Sequence, residues 1–168
     1  MDQLKQLIPD HARDLRINLG VITSSTALSA EQAWQIALAS ALSARHPEAI
    51  RAVEAAAPLD DTQRSAARGA AAIMGMNNVY YRFVHMMGDA AEYGAMPARL
   101  RMQIIGNPGI PRVDFELACL ASSAITGCEA CVRSHEQSAR THGATKEMIQ
   151  DAVRIASVIH GVAVALPA

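Results

Sequence analysis

Residues 146–166 read KEMIQDAVRIASVIHGVAVAL, and the spacing of their apolar side chains decides the fold class. Met148, Ala152, Ile155, Ile159, Val162 and Leu166 recur at intervals of three and four, which places them on one stripe of an α-helix and on no single face of a strand. A seam of this kind packs against a core or against another subunit. Gly143 stops whatever precedes it, so the spacing predicts a final helix over Lys146–Leu166.

The same periodicity runs back along the chain. Ser29 followed by Gln32 is a capping-box pattern that opens a helix from about Ala30 to Ala44. Asp60 with Gln63 repeats it ahead of a longer helix, Thr62 to about Met87, which Gly69 and Gly75 weaken and Gly88 ends. The run Gly106-Asn107-Pro108-Gly109-Ile110-Pro111 is the clearest breaker. Beyond it we expect a helix from about Arg112 to Ile125, a break near Thr126 and a helix from Gly127 to about Arg140. The expected architecture is all-α, a single domain over 1–168 with a weak two-half organisation, 1–106 and 111–168. A faint repetition links the halves: Leu38-Ala39-Ser40 sits in its helix as Leu120-Ala121-Ser122 does in the later one, and Ile50-Arg51 parallels Val132-Arg133. That pattern fits a duplicated helical unit in which only the second copy kept its chemistry.

Composition points the same way. A chain of 168 residues is the size of one domain and buries a core without disulfide staples. Apolar residues make up 51% but aromatic ones only 4%, so the bulk comes from Ala, Leu, Ile, Val and Met, which suit close helix packing. Net charge is −1 with both signs dispersed, and no basic stripe exists to track a phosphate backbone or an anionic membrane. The start, Met-Asp-Gln-Leu-Lys-Gln-Leu, lacks the character of a signal peptide, and the most apolar stretch, Ile155–Leu166, is about half a bilayer span. The expectation is a cytoplasmic protein with neither nucleic acid nor membrane as partner. In a reducing compartment, three cysteines are more often catalytic, metal-binding or inert than structural.

Cys128-Glu129-Ala130-Cys131 is a C-x-x-C, with His135 four residues further on. Thr126 and Glu129 form another capping-box pattern, so a helix is expected to begin at Gly127 with Cys128 in its first turn. Successive steps of about 300° and about 400° put Cys128, Cys131 and His135 on one face. The helix N-terminus favours a thiolate at Cys128. His135 can serve Cys131 as base or as stabilising imidazolium. Two cysteines one turn apart can close a small disulfide, so oxidation of one is resolved by the other. Peroxide reduction needs this set: a thiolate to attack the O–O bond, a thiol to resolve the sulfenic acid, and a proton for the leaving alkoxide. Glu116 on the preceding helix meets His135 if the break folds the two helices together, and a carboxylate there orients the imidazole.

The same residues admit other readings. Two buried, inert thiols are one. A zinc-stabilised interaction module is another, with Cys128, Cys131, His135 and a fourth ligand such as Glu116 or His142, although three ligands crowding one helix count against it. Cys119 reads as a small buried apolar residue. His11, His46, His85, His142 and His160 have no partner at suggestive spacing, and Ile73, Met74 and Met76 read as packing.

Glu116, eleven residues, Cys128-x-x-Cys131, three residues and His135 together resemble the signature of the AhpD-like alkylhydroperoxidases. Further stretches are similar: residues 76–83 (MNNVYYRF), 97–102 (PARLRM), 114–117 (DFEL) and 153–156 (VRIA), so the likeness runs from about Glu31 to Leu166. The resemblance implies an all-helical fold with a duplicated unit, commonly a homotrimer, and a thiol peroxidase that reduces alkyl hydroperoxides with no bound cofactor. It implies electrons from dihydrolipoamide on the lipoylated acyltransferase of a 2-oxoacid dehydrogenase complex, and a partner peroxiredoxin, AhpC. By the same likeness Cys131 is the peroxidatic thiol, Cys128 the proton donor and resolving thiol, and Glu116 and His135 the proton relay. Some members carry a second histidine where this chain has Ala130. The dipole argument alone nominates Cys128 as the more acidic thiol, but a base in contact outweighs a dipole worth roughly 0.3–1 kcal/mol, which favours Cys131. A decarboxylase of the related carboxymuconolactone type shares the fold and needs no dithiol; it is the nearest alternative.

Overall fold

The computed structural model describes residues 2–88 and 91–167, and every regular element among them is a helix. In chain order these are α1 (Asp2–Leu7), a 3-10 turn (Asp10–Ala12), α2 (Asp14–Asn18), α3 (Val21–Ser24), α4 (Ala30–Ala44), α5 (Pro47–Ala56) and α6 (Asp61–Met86). They continue with α7 (Ala91–Ala95), α8 (Gln103–Gly106), α9 (Arg112–Thr126), α10 (Glu129–Thr141) and α11 (Lys146–Ala165).

The long helices start where the caps say they should. Ser29 Oγ accepts from the Gln32 backbone N–H at 3.2 Å while the Ser29 N–H donates to Gln32 Oε1 at 2.9 Å. Asp60 and Gln63 do the same for α6 at 2.8 and 3.0 Å. Each such cap satisfies backbone donors that a helix start otherwise leaves without partners. The helix α6 runs unbroken through both of its glycines, and Gly69 faces α8: a Cβ there would collide with the Ile104 side chain. Pro47 at the first turn starts α5, a helix the sequence reading passed over.

Burial sorts the helices into layers. Nine consecutive residues of α4, Ala33–Ala41, and nine of α9, Phe115–Ser123, are buried, so these two helices are enclosed on all sides. The helix α4 packs against α6, α9 and α11, and α9 packs against α4, α6, α10 and α11. Alanines such as Ala37, Ala41, Ala67, Ala70, Ala118 and Ala121 line the contacts and let the backbones approach closely. The expected seam is core: Ala152, Ile155, Ile159, Val162 and Leu166 are buried and Met148 is half-buried. Taken over its whole length, α11 is long and apolar enough to cross a membrane, which corrects the count based on Ile155–Leu166 alone. Its apolar face is buried against α4 and α9.

One boundary differs from expectation. The helix α9 continues through Thr126, and α10 begins at Glu129, not at Gly127. The cause is Gly127, which takes a left-handed conformation (φ 70°) and ends α9.

Candidate active site

The sharp turn between α9 and α10 is made by three residues with separate jobs. Gly127 donates its N–H to the Ala124 carbonyl at 3.2 Å, and the Cys128 N–H reaches back to Ser123 O at 3.2 Å, the paired bonds of a Schellman motif. Cys128 is then the N-cap of α10, its Sγ accepting from the Cys131 backbone N–H at 3.4 Å. The expected Thr126–Glu129 capping box therefore does not form. Thr126 instead turns its hydroxyl back to the Ser122 and Ser123 carbonyls, both at 3.2 Å, and Glu129 pairs with Arg133 and His85 at the surface. One cysteine thus closes a helix with its backbone and opens the next with its sulfur.

Cys128 and Cys131 are joined as a disulfide, their Cα atoms 5.3 Å apart. The two sulfurs differ in access. Cys128 is 0% exposed, whereas Cys131 is 5% exposed and lines a cavity of about 280 Å³. Its lining combines Tyr81, Met102, Ile105 and Ala130 with the ionisable side chains Arg112, Glu116 and His135.

His135 lies one turn beyond Cys131 and is buried. Its Nδ1 is 2.6 Å from Glu116 Oε2, the contact the sequence spacing suggested. The other carboxylate oxygen, Oε1, accepts from Arg112 Nε at 2.6 Å. Burial pushes the Glu116 carboxyl upward, but the hydrogen bonds and charges of His135 and Arg112 outweigh it and hold Glu116 below the ordinary carboxylate range. An ionised carboxylate only accepts, so His135 Nδ1 carries a proton and Nε2 is the nitrogen left for exchange. Arg112 was missed by the sequence reading, although it lies one helical turn before Glu116, a spacing at which such pairs meet. Asn77 and Tyr81 of α6, Met102 and Ile105 were missed too, because nothing local in the sequence links them to the C-x-x-C.

The remaining cysteine and histidines stay outside the cavity. Cys119 is fully buried, and desolvation pushes its thiol well above the ordinary range, so it behaves as a small apolar residue. His142 is exposed and bonds back to Ser138 O at 2.8 Å; His46 contacts Pro167 O at 2.8 Å. Met74 is core. Among the described residues no group of three or more His, Cys, Asp and Glu side chains is arranged to hold a metal ion.

The sequence pattern of the carboxymuconolactone decarboxylase family matches residues 91–168, which include the whole of α9, α10 and α11. Over its full length the chain is 51% identical to the alkyl hydroperoxide reductase AhpD of Rhodospirillum centenum, covering 91% of that protein. It is 49% identical to the proteins of the same name from Methylocella silvestris and Streptomyces griseus, covering 95% and 96% of them, again with 100% of this chain aligned.

Proposed function

Because this chain belongs to the AhpD family of alkyl hydroperoxide reductases, we propose that it reduces alkyl hydroperoxides by cycling Cys128 and Cys131 between dithiol and disulfide. The observation that carries this reading is the placement of Cys131 in a cavity shared with the Glu116–His135 pair, while its partner Cys128 is fully enclosed.

In the oxidative half, the Cys131 thiolate attacks the terminal oxygen of the hydroperoxide. An S–O bond forms as the O–O bond breaks, sulfur is oxidised to a sulfenic acid, and the departing alkoxide takes from His135 Nε2 the proton that this nitrogen accepted when the Cys131 thiol ionised. The Cys128 thiol then attacks the Cys131 sulfur, the S–S bond forms, and the expelled hydroxide leaves as water with the Cys128 proton. Glu116 keeps the imidazole in the tautomer this requires. Arg112 keeps Glu116 ionised, so Glu116 acts as a fixed carboxylate and His135 as the group that exchanges protons.

The reductive half runs through the accessible sulfur. One sulfur of a dithiol of the dihydrolipoamide type, carried on a lipoylated acyltransferase, attacks Cys131 and forms a mixed disulfide as Cys128 leaves as a thiolate; the second sulfur of the donor then displaces Cys131, closing the donor's own disulfide and freeing both cysteines. The Cys131 N–H that reaches Cys128 Sγ, together with the N-terminus of α10, stabilises the Cys128 thiolate. The same dithiol serves a peroxiredoxin of the AhpC type, with this protein as its reductant in the cytoplasm.

The test is consumption of cumene hydroperoxide with dihydrolipoamide as donor, comparing the native protein with Cys131→Ser and with the double variant lacking both thiols. Native turnover that disappears in Cys131→Ser is expected. No turnover by the native protein sinks the peroxidase reading. A carboxymuconolactone-type decarboxylase activity that survives loss of both thiols replaces it.

A further inference from the structure

We propose that Asn77 is the peroxide-recognition residue of the cavity, its side-chain amide holding the O–O–H group so that the terminal oxygen faces Cys131. This rests on the peroxidase reading and adds a residue to it.

The observation is an unused amide in a place where unused amides are rare. Asn77 lies in the middle of α6, is 4% exposed, and lines the cavity together with Cys131, Glu116 and His135. Its Oδ1 is enclosed and has no hydrogen-bond partner among the described residues. Buried polar atoms are nearly always satisfied, and one that is not calls for a reason. The next residue shows what a structural asparagine looks like here. Asn78 donates to Thr126 Oγ1 at 2.6 Å and accepts from Ser123 Oγ at 3.1 Å, so both ends of its amide are engaged.

Other buried polar atoms without partners, on Gln35, Ser40, His46 and Ser122, belong to residues outside the cavity lining. Within the lining, Ser134 is exposed and Ser138 and Tyr81 are half-buried, within reach of water. Arg112, Glu116 and His135 are bound to one another. Asn77 is therefore the buried polar side chain of the lining that has no hydrogen bond of its own among the described residues, beside a His135 whose Nε2 is kept for proton exchange.

A hydroperoxide is the ligand whose chemistry completes this amide. Its terminal O–H is a donor for the enclosed Oδ1, and its inner oxygen is an acceptor for the Nδ2 hydrogens. Charge develops on that inner oxygen as the O–O bond breaks, so an amide N–H aimed at it stabilises the transition state as well as the bound substrate. A dithiol donor gains little from the same group, because S–H is a weak donor and sulfur a weak acceptor. Asn77 therefore separates the two half-reactions: it serves oxidation by peroxide and is nearly idle during reduction by dithiol.

Two variants test this, Asn77→Ala and Asn77→Leu, the second keeping the branched shape and the number of heavy atoms. Each half-reaction is followed alone: loss of thiols on mixing the reduced protein with cumene hydroperoxide, and recovery of thiols on mixing the oxidised protein with dihydrolipoamide. Both variants are expected to lose about 10- to 100-fold in the rate constant for peroxide oxidation. Reduction by dihydrolipoamide is expected to stay within about threefold of native, and Asn77→Leu to melt no lower than native, because it removes an unpaired buried acceptor. A parallel fall in both half-reactions makes Asn77 a structural residue and overturns the assignment, as does an unchanged peroxide rate in Asn77→Leu. The native protein is measured first: if it does not react with hydroperoxide, the proposed function fails and the Asn77 assignment falls with it, whereas an active native protein with indifferent variants overturns Asn77 alone.

Discussion

Glu116 is the residue whose environment leaves the plainest mark in solution. It is buried between His135 and Arg112, and their combined hydrogen bonds and charges hold its carboxyl below the ordinary range in spite of desolvation. A carboxyl depressed by folding contributes stability that is fully present above its unfolded value, about 4.3, and is lost as pH falls through the lower folded value. Glu116→Gln mimics the protonated form at every pH. The variant is therefore expected to unfold at lower denaturant near neutral pH, by roughly 1.5–3 kcal/mol, the range for a hydrogen bond to a charged group. The gap between native and variant should close as the solution is taken down through the acid range. Denaturant melts across that range decide it, and a gap independent of pH would mean that Glu116 is not held ionised by its partners. The link from Glu116 to His135 was legible in the sequence because each sits on the inward face of a helix and a break between them lets the helices fold together. Arg112 stands at an equally good helical spacing from Glu116, but an Arg–Glu pair at i,i+4 is ordinary on a solvated helix face, and only the burial of Glu116 makes it part of the site.

At the scale of the element, α6 does for the reactive turn what the turn cannot do for itself. The last carbonyls of α9 have no partner within the helix. Arg82 Nη1 donates to the Thr126 carbonyl at 2.7 Å, and Asn78, one turn earlier on α6, ties Thr126 and Ser123 together. Asn78→Ala strips partners from two hydroxyl-bearing residues at the start of the C-x-x-C turn. We expect a loss of about 1–3 kcal/mol in unfolding free energy and slower recovery of thiols from the disulfide, because the sulfurs lose their fixed aim. Unchanged melting together with unchanged reduction would show that the Schellman bonds alone hold the turn. Here the sequence misled for a physical reason. A Thr followed three residues on by Glu is a cap only if the chain turns before it, and the pattern is silent on where the turn falls. Gly127 decides that, since its left-handed conformation suits a helix end and disfavours a helix start. Where cap and breaker agreed, as at Ser29 and Asp60, the boundary was read within a residue or so.

For the whole molecule, two readings made from sequence can be carried further. The first is duplication. Both α4 and α9 have 15 residues and both end in a left-handed residue, Arg45 (φ 64°) and Gly127 (φ 70°). Gln32 and Asp114, 82 positions apart, meet at 2.6 Å where the two helices begin, and Leu38-Ala39-Ser40 stands at that same separation from Leu120-Ala121-Ser122. We read these as two copies of one helical unit that face each other. In the first copy Trp34, His46, Ala49 and Val53 occupy the places of Glu116, Cys128, Cys131 and His135, so that copy has no counterpart of the C-x-x-C or of the Glu–His pair. The second reading is assembly, which no single-chain pattern could fix, because an apolar stripe looks the same whether a core or a neighbour covers it. The stripe of α11 turned out to be core, but Val79, Phe83 and Met86 form another on α6 that is exposed, 62% at Val79 and 69% at Met86. Phe83 stacks edge-on against Tyr93 of α7, ring centroids 5.2 Å apart, which extends the apolar strip across two elements. An exposed apolar strip that spans two elements is the kind of surface that a partner covers. The occupant we propose is a further copy of this chain, in the threefold assembly that the resemblance implies. Light scattering on the eluting protein should then give three times the 17.9 kDa chain mass, and Val79→Glu with Met86→Glu should reduce it to the single-chain value while helix content is kept. A native protein that elutes at the single-chain mass at micromolar concentration would leave the strip free for a different partner, and the peroxiredoxin it is proposed to reduce would be the first to test there.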